Sequence, residues 1–200
     1  MNSIIRACLR GGDPQSPATR RRCGAISGAV GIVLNTLLAL SKLLAGLLTA
    51  SVAMTADGLN NLSDAATSVV TLIGFRLAGQ EADAEHPFGH GRMEYVAGLI
   101  VSMAILLMGI EVGRSALTAL FHREEAAFSP LAAAILCAAI LVKLWMFWFN
   151  RALGRQIGSA ALEATAADSL SDTLSTGVVL ASTLAGHFFD LQIDGLAGLL

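Results

Sequence analysis

Five long apolar segments run through this 200-residue chain, at roughly 24–48, 52–78, 93–120, 129–150 and 157–186. Each reaches the ~20 residues needed to cross a hydrocarbon core. In lipid there is no water to satisfy exposed peptide groups, so such segments are expected to be helices. The composition agrees: 54% of residues are hydrophobic, only 14% are charged and the mean hydropathy is +0.67, against about 25% charged in soluble domains. A sixth apolar segment starts near Ile193 and is cut short at Leu200, too few residues to cross. The expected fold is an all-α membrane protein, a six-helix transmembrane bundle over residues 23–200 with an incomplete sixth helix. The chain is expected to be a fragment of a longer protein.

Residues 1–22 are read as a basic cytoplasmic tail carrying Arg6, Arg10 and Arg20-Arg21-Arg22. The apolar run after Arg22 is too long for the core of a signal peptide. Arg76 and Arg92 flank the second-to-third loop, and Arg151 and Arg155 mark the fourth-to-fifth, whereas on the other side only Arg123 lies in a loop. Positive charge favours the cytoplasm, so the amino terminus and the loop 79–92 are assigned there, with a bacterial plasma membrane as the expected location. Cys8, Cys23 and Cys137 are scattered, without the spacing of a disulfide framework or thiolate metal site. The net charge of −2 comes with no basic, aromatic-interleaved patch for nucleic acid. No nucleophile–base set, phosphate-binding glycine loop or zincin motif suggests an enzyme.

Within two of the apolar segments lie polar pairs. Asn60 and Asp64 are four residues apart in the second, and Asp168 and Asp172 four apart in the fifth. That spacing places each pair on one helix face. A carboxylate at the bilayer centre costs several kcal/mol, about 3 on insertion scales. Asp64 falls about 18 Å into its segment at about 1.5 Å per residue, and Asp168 and Asp172 bracket the middle of theirs. The four side chains can therefore form one cage, with three acids expected to lack a nearby Lys or Arg and so to need a cation. The strings Asn60-Asn61-Leu62-Ser63-Asp64 and Asp168-Ser169-Leu170-Ser171-Asp172 are also locally alike.

Lys42, Lys143 and Glu111 are intramembrane as well, and are read as structural ion-pair residues; Lys143 is expected to pair with Glu111 at similar depth. The oxygen-only set of the cage suits hard ions such as Mn²⁺, Mg²⁺ and Ca²⁺, whereas Zn²⁺ prefers some nitrogen or sulfur. The loop offers a second constellation, Asp83, His86 and His90, one carboxylate and two imidazoles of zinc-like character. Arg92 opens the third helix and is expected to make a structural ion pair there.

The stretch Ser51-Val-Ala-Met-Thr-Ala-Asp57-Gly58-Leu-Asn60-Asn-Leu-Ser63-Asp64, followed by His86-Pro-Phe-Gly-His90-Gly-Arg92-Met-Glu94, resembles the cation diffusion facilitator family. The 22-residue step from Asp64 to His86 matches its spacing, and Asn35 and Lys42 fit its pattern. The resemblance implies a cation-efflux transmembrane domain, a homodimer, a following cytoplasmic metal-binding domain absent here, and proton-coupled export of a divalent metal as cargo, with no resident cofactor. It places the transport site at Asn60, Asp64, Asp168 and Asp172 and maps a loop site onto Asp83, His86 and His90. The zinc branch usually has His among the transport ligands; Asn with three Asp is similar to the manganese branch. The alternatives are a Zn²⁺ or Fe²⁺ exporter of the same family, or a non-transporting membrane scaffold.

Overall fold

The computed structural model describes Cys8 and residues 13–49, 52–83, 86–121 and 129–189. The segment after residue 189, where a sixth helix is expected to begin, lies outside the described residues. So do residues 1–7 and 9–12 of the tail and the turn containing Arg123.

Five helices follow one another: α1 (Pro17–Thr49), α2 (Val52–Ala78), α3 (Met93–Phe121), α4 (Pro130–Ile157) and α5 (Ala160–Phe189). They coincide closely with the five apolar segments; α1 and α4 each extend further, at the start and the end respectively. The junctions have local causes. Ser129 caps α4, its hydroxyl accepting from the Ala132 N–H at 3.4 Å, and Pro130 follows at the first helical position, where its missing N–H costs nothing. Gly158 ends α4 in the left-handed region at φ 63°, and Ser159 begins α5 by accepting from the Leu162 N–H. Two residues thus reverse the chain, and α4 and α5 pack as an antiparallel pair.

The most extensive contact is between α1 and α2, followed by α4 with α5 and α2 with α3. Glycines let the first pair approach. A Cβ on Gly24 would fall 2.0 Å from the Phe75 ring, and one on Gly28 2.8 Å from Leu72 Cβ. Phe75 joins Phe149, Leu153, Ile157 and Leu162 in the largest buried cluster. Elsewhere large apolar side chains point outward, among them Leu37, Leu44, Leu99, Met103, Leu106 and Ile110. An outward apolar surface on long helices is what a lipid environment requires.

The helices are of two kinds. Windows within Pro17–Leu48, Met93–Ile110 and Pro130–Ile157 are long and apolar enough to cross a membrane by length and composition. Helices α2 and α5 are as long but carry a polar stripe. Their hydroxyls are largely satisfied within the helix: Ser68 and Thr71 donate to the carbonyls of Asp64 and Thr67, and Thr165, Ser169 and Thr173 donate in a ladder four residues back. What the ladder leaves unsatisfied are the amides and carboxylates, and these converge.

Ion pairs tie the bundle at other levels. Lys42 of α1, 1% exposed, holds Asp57 of α2 at 2.8 Å, giving the intramembrane lysine a structural partner. At the start of α3 the ion pair belongs to Glu94 and not to Arg92. Arg20 of α1 forks onto both Glu94 oxygens at 2.7 and 2.8 Å and also donates to the Ile157 carbonyl at the end of α4. Arg92 is exposed and forms no ion pair among the described residues. The reason is position: Glu94 is buried at the junction of three helices, where a bidentate arginine can reach it, whereas Arg92 lies on the outer side of the turn.

Candidate metal centre

Asp64 sits in the fourth turn of α2 and Asp168 and Asp172 in successive turns of α5, so the i, i+4 geometry of α5 stacks its two carboxylates on one face. One oxygen from each of the three acids can be chosen so that all lie within 4.8 Å of one another. Asp64 is 1% exposed and Asp168 8%. Asn60, one turn before Asp64, donates from Nδ2 to Asp172 Oδ1 at 3.4 Å. The four residues expected to share a cage are therefore brought together from two helices distant in sequence.

Two further residues belong to the cluster. Asn61 donates to Asp64 Oδ2 at 3.1 Å and is itself buried. Lys143 of α4 places its Nζ 2.6 Å from Asp64 Oδ2 and 2.5 Å from Asp172 Oδ2. This corrects one expectation: the acids do have a cation beside them, Lys143. Rotation about α4 is the physical reason. Lys143 lies on the same buried stripe as Leu136, Ala139, Met146 and Asn150, which faces the bundle. Depth along a helix says nothing about which way a side chain points. The expected pairing of Lys143 with Glu111 falls outside the described residues, which do not include the Glu111 side chain.

The donor set is not saturated. Asp64 Oδ1 is buried with no hydrogen-bond partner, as is Asn61 Oδ1. The Asp168 carboxylate accepts no hydrogen bond among the described residues. Buried carboxylate oxygens without donors are costly, and a hard cation satisfies them. Rotating the Asn60 amide would turn its carbonyl oxygen toward the same space, completing an oxygen-only set.

The loop between α2 and α3 forms a different cluster. The His86 backbone N–H donates to Asp83 Oδ1 at 2.6 Å, and His86 Nδ1 lies 3.2 Å from the same oxygen. His90 Nε2 is 3.6 Å from Asp83 Oδ2, and the imidazole rings are 4.4 Å apart. Ligand atoms of all three come within 4.8 Å of one another. A turn makes this possible: the Gly89 N–H donates to the His86 carbonyl, with Gly89 at φ 77°, a conformation that suits glycine. The backbone hydrogen bond from His86 is the main cause holding the Asp83 carboxyl below its ordinary range, with the two imidazoles assisting. Asp83 and His86 are exposed and His90 half-buried.

The asparagine missed by sequence reading, Asn61, carried little signal beside Asn60. Lys143 carried more: the chain has two lysines, both inside apolar segments, and an intramembrane lysine asks for a carboxylate.

A helical bundle with an apolar outer surface and a cluster of carboxylates in its interior defines an integral membrane protein. Residues 29–200 match the family described as the cation efflux transmembrane domain, and the chain belongs to that family, the cation diffusion facilitators. It is 36% identical over 169 residues to the manganese efflux system protein MneS of Bacillus subtilis, covering 84% of this chain and 58% of that protein. It is 31% identical over 169 residues to an uncharacterized transporter of Methanocaldococcus jannaschii, covering 84% of this chain and 60% of that one. Mitochondrial metal transporter 2 of Saccharomyces cerevisiae is 29% identical over 195 residues, 85% of this chain and 40% of the yeast protein. The chain thus spans about three fifths or less of the length of these relatives.

Proposed function

We propose that this chain forms the membrane pathway of a divalent-metal exporter, and that its cargo is Mn²⁺. The observation that carries the reading is the cage itself: Asp64, Asp168 and Asp172 offer oxygens within 4.8 Å of one another in the interior of the bundle. A hard, oxygen-only set with Asn60 as the fourth member suits Mn²⁺ better than Zn²⁺, and the similarity to a manganese efflux protein points the same way. In this reading the ionised acids take Mn²⁺ from the cytosolic side, and rocking of the bundle exposes it to the other. Protons compete with the metal because binding requires deprotonated carboxylates, which makes proton antiport the natural coupling. The amino terminus and the loop 79–92 face the cytosol, and the working unit is a homodimer in the plasma membrane.

The loop cluster has a separate part. One carboxylate and two imidazoles at the cytosolic face form a site with nitrogen donors, which favours Zn²⁺. It samples metal at the entrance and does not carry it across.

The test is Mn²⁺ uptake into inverted membrane vesicles, with Zn²⁺ and Fe²⁺ as competitors. Asp172→Ala should abolish uptake while the protein still accumulates in the membrane. Full activity in that variant would sink the site assignment, and Zn²⁺ uptake without Mn²⁺ uptake would reassign the cargo.

A further inference from the structure

Lys143 is the charged member of the cage that metal coordination does not use. It reaches in from α4, a helix that supplies none of the four proposed ligands. Its ammonium, on a residue 2% exposed, joins Asp64 of α2 to Asp172 of α5. We propose that Lys143 is a tethered counter-cation that occupies the space between Asp64 and Asp172 and competes with the metal for them. The inference rests on the reading of this cluster as the transport site.

The geometry supports competition more than support of a ligand. A lysine that only positioned one ligand would hold a single acid and would not bridge two. Here one ammonium sits on oxygens of two different acids, at 2.6 and 2.5 Å, bridging the two helices that form the cage. A metal drawing both acids into one coordination shell must contend with that bridge. The oxygens left over show where it would start: Asp64 Oδ1 has no partner, and Asp168 is outside the ammonium's hydrogen bonds. The metal would engage these first and complete its shell as Asp64 and Asp172 release the lysine.

Charge leads to the same conclusion. Against three carboxylates, one ammonium leaves two uncompensated negative charges, which a single divalent cation neutralises. When the cargo leaves, the stem of Lys143 returns the ammonium to the gap at once, because it cannot diffuse away. Buried carboxylates are then not left bare in a low dielectric. The arrangement therefore lowers equilibrium affinity for the metal and hastens its release, which suits a carrier that must let go on the far side.

Binding of Mn²⁺ to purified protein and Mn²⁺ uptake into inverted vesicles test this together. Lys143→Met keeps the stem and removes the charge. It should bind Mn²⁺ at least tenfold more tightly and transport it more slowly, because release becomes limiting. Lys143→Arg keeps the charge and can fork across both acids; it should bind at least tenfold more weakly. A lysine serving only to hold the fold predicts neither the tightening nor the opposed signs, and unchanged or weaker binding in a folded Lys143→Met overturns the inference. If that variant does not accumulate, Lys143→Arg decides alone, with wild-type affinity counting against the proposal. Asp168→Asn separates this inference from the one beneath it, because Asp168 makes no hydrogen bond with Lys143. Wild-type Mn²⁺ binding in Asp168→Asn means the cage is not the metal site. Lost binding there, combined with wild-type affinity in both lysine variants, removes the counter-cation role alone.

Discussion

The cage and the loop each gather three potential ligands within 4.8 Å, yet they are opposite environments. In the cage the acids are mostly buried and their charge is met by Lys143, Asn61 and Asn60. In the loop the carboxylate is about half exposed, and water, a backbone N–H and two imidazoles share its charge. Clustering alone is therefore a weak guide to function. An exposed trio can persist without a ligand, because solvent screens it. A buried trio of acids cannot, and the molecule spends a lysine and two asparagines on keeping it. Donor chemistry divides the two as well: the cage is oxygen throughout, and the loop offers two nitrogens.

The strongest way to break that division is to bring nitrogen into the cage. Asn60→His places an imidazole where the carboxamide donates to Asp172. We expect Mn²⁺ transport to fall and Zn²⁺ transport to rise, with a preference shift of tenfold or more, equivalent to about 1.4 kcal/mol. Paired Mn²⁺ and Zn²⁺ uptake in inverted vesicles measures it. An unchanged preference would mean that selectivity is set elsewhere, by the loop or by the helix packing.

A smaller effect is expected from the loop. His90→Ala removes one imidazole from the exposed trio and leaves the cage untouched. Zn²⁺ binding at the loop should weaken by about tenfold, within the range of losing one supporting interaction at a metal site, while the maximal Mn²⁺ transport rate stays as it was. Calorimetric titration with Zn²⁺ and vesicle uptake of Mn²⁺ check the two halves separately. A collapse of the maximal rate in His90→Ala would erase the distinction between a sampling site and a transport site.

The same contrast shows what could be read in advance. Periodicity was legible: two pairs four residues apart inside apolar segments placed Asn60, Asp64, Asp168 and Asp172 on helix faces at similar depth, and the described structure joins them. The helices themselves were legible because length and apolarity leave a membrane segment little choice. Azimuth was not. The inward stripe of α4 runs through Leu136, Ala139, Lys143, Met146 and Asn150, but which acids of other helices that stripe meets depends on how the helices pack, and the sequence of α4 alone does not give it. Arg92 failed for a related reason. It is one residue from the start of α3, but the buried acid at that junction, Glu94, is met by an arginine 74 positions earlier in the chain. Such pairings depend on how α1, α3 and α4 meet, which no local pattern records.

The finest test of the comparison is pH, applied to the loop acid. The Asp83 carboxyl is held below its ordinary range first by the His86 backbone N–H and then by the imidazoles. A carboxyl with a depressed pKa in the folded loop stabilises that loop above the unfolded value, near 3.9. The contribution is lost as pH falls through the lower, folded value. The turn from Asp83 to His90 should therefore keep its shape across the neutral range, and its Asp83 anchor should fail only in acid, below about pH 4. Carboxyl-carbon NMR of Asp83 in protein reconstituted in nanodiscs follows this directly. The midpoint should lie below the ordinary aspartate range and move up toward it in His86→Pro, which removes the donating N–H. A normal midpoint in the unaltered protein would show that the His86 N–H does not hold the carboxylate in solution. The loop would then be a loosely tethered pair of imidazoles and not a preformed site, and its contrast with the cage would be one of order as well as of solvent.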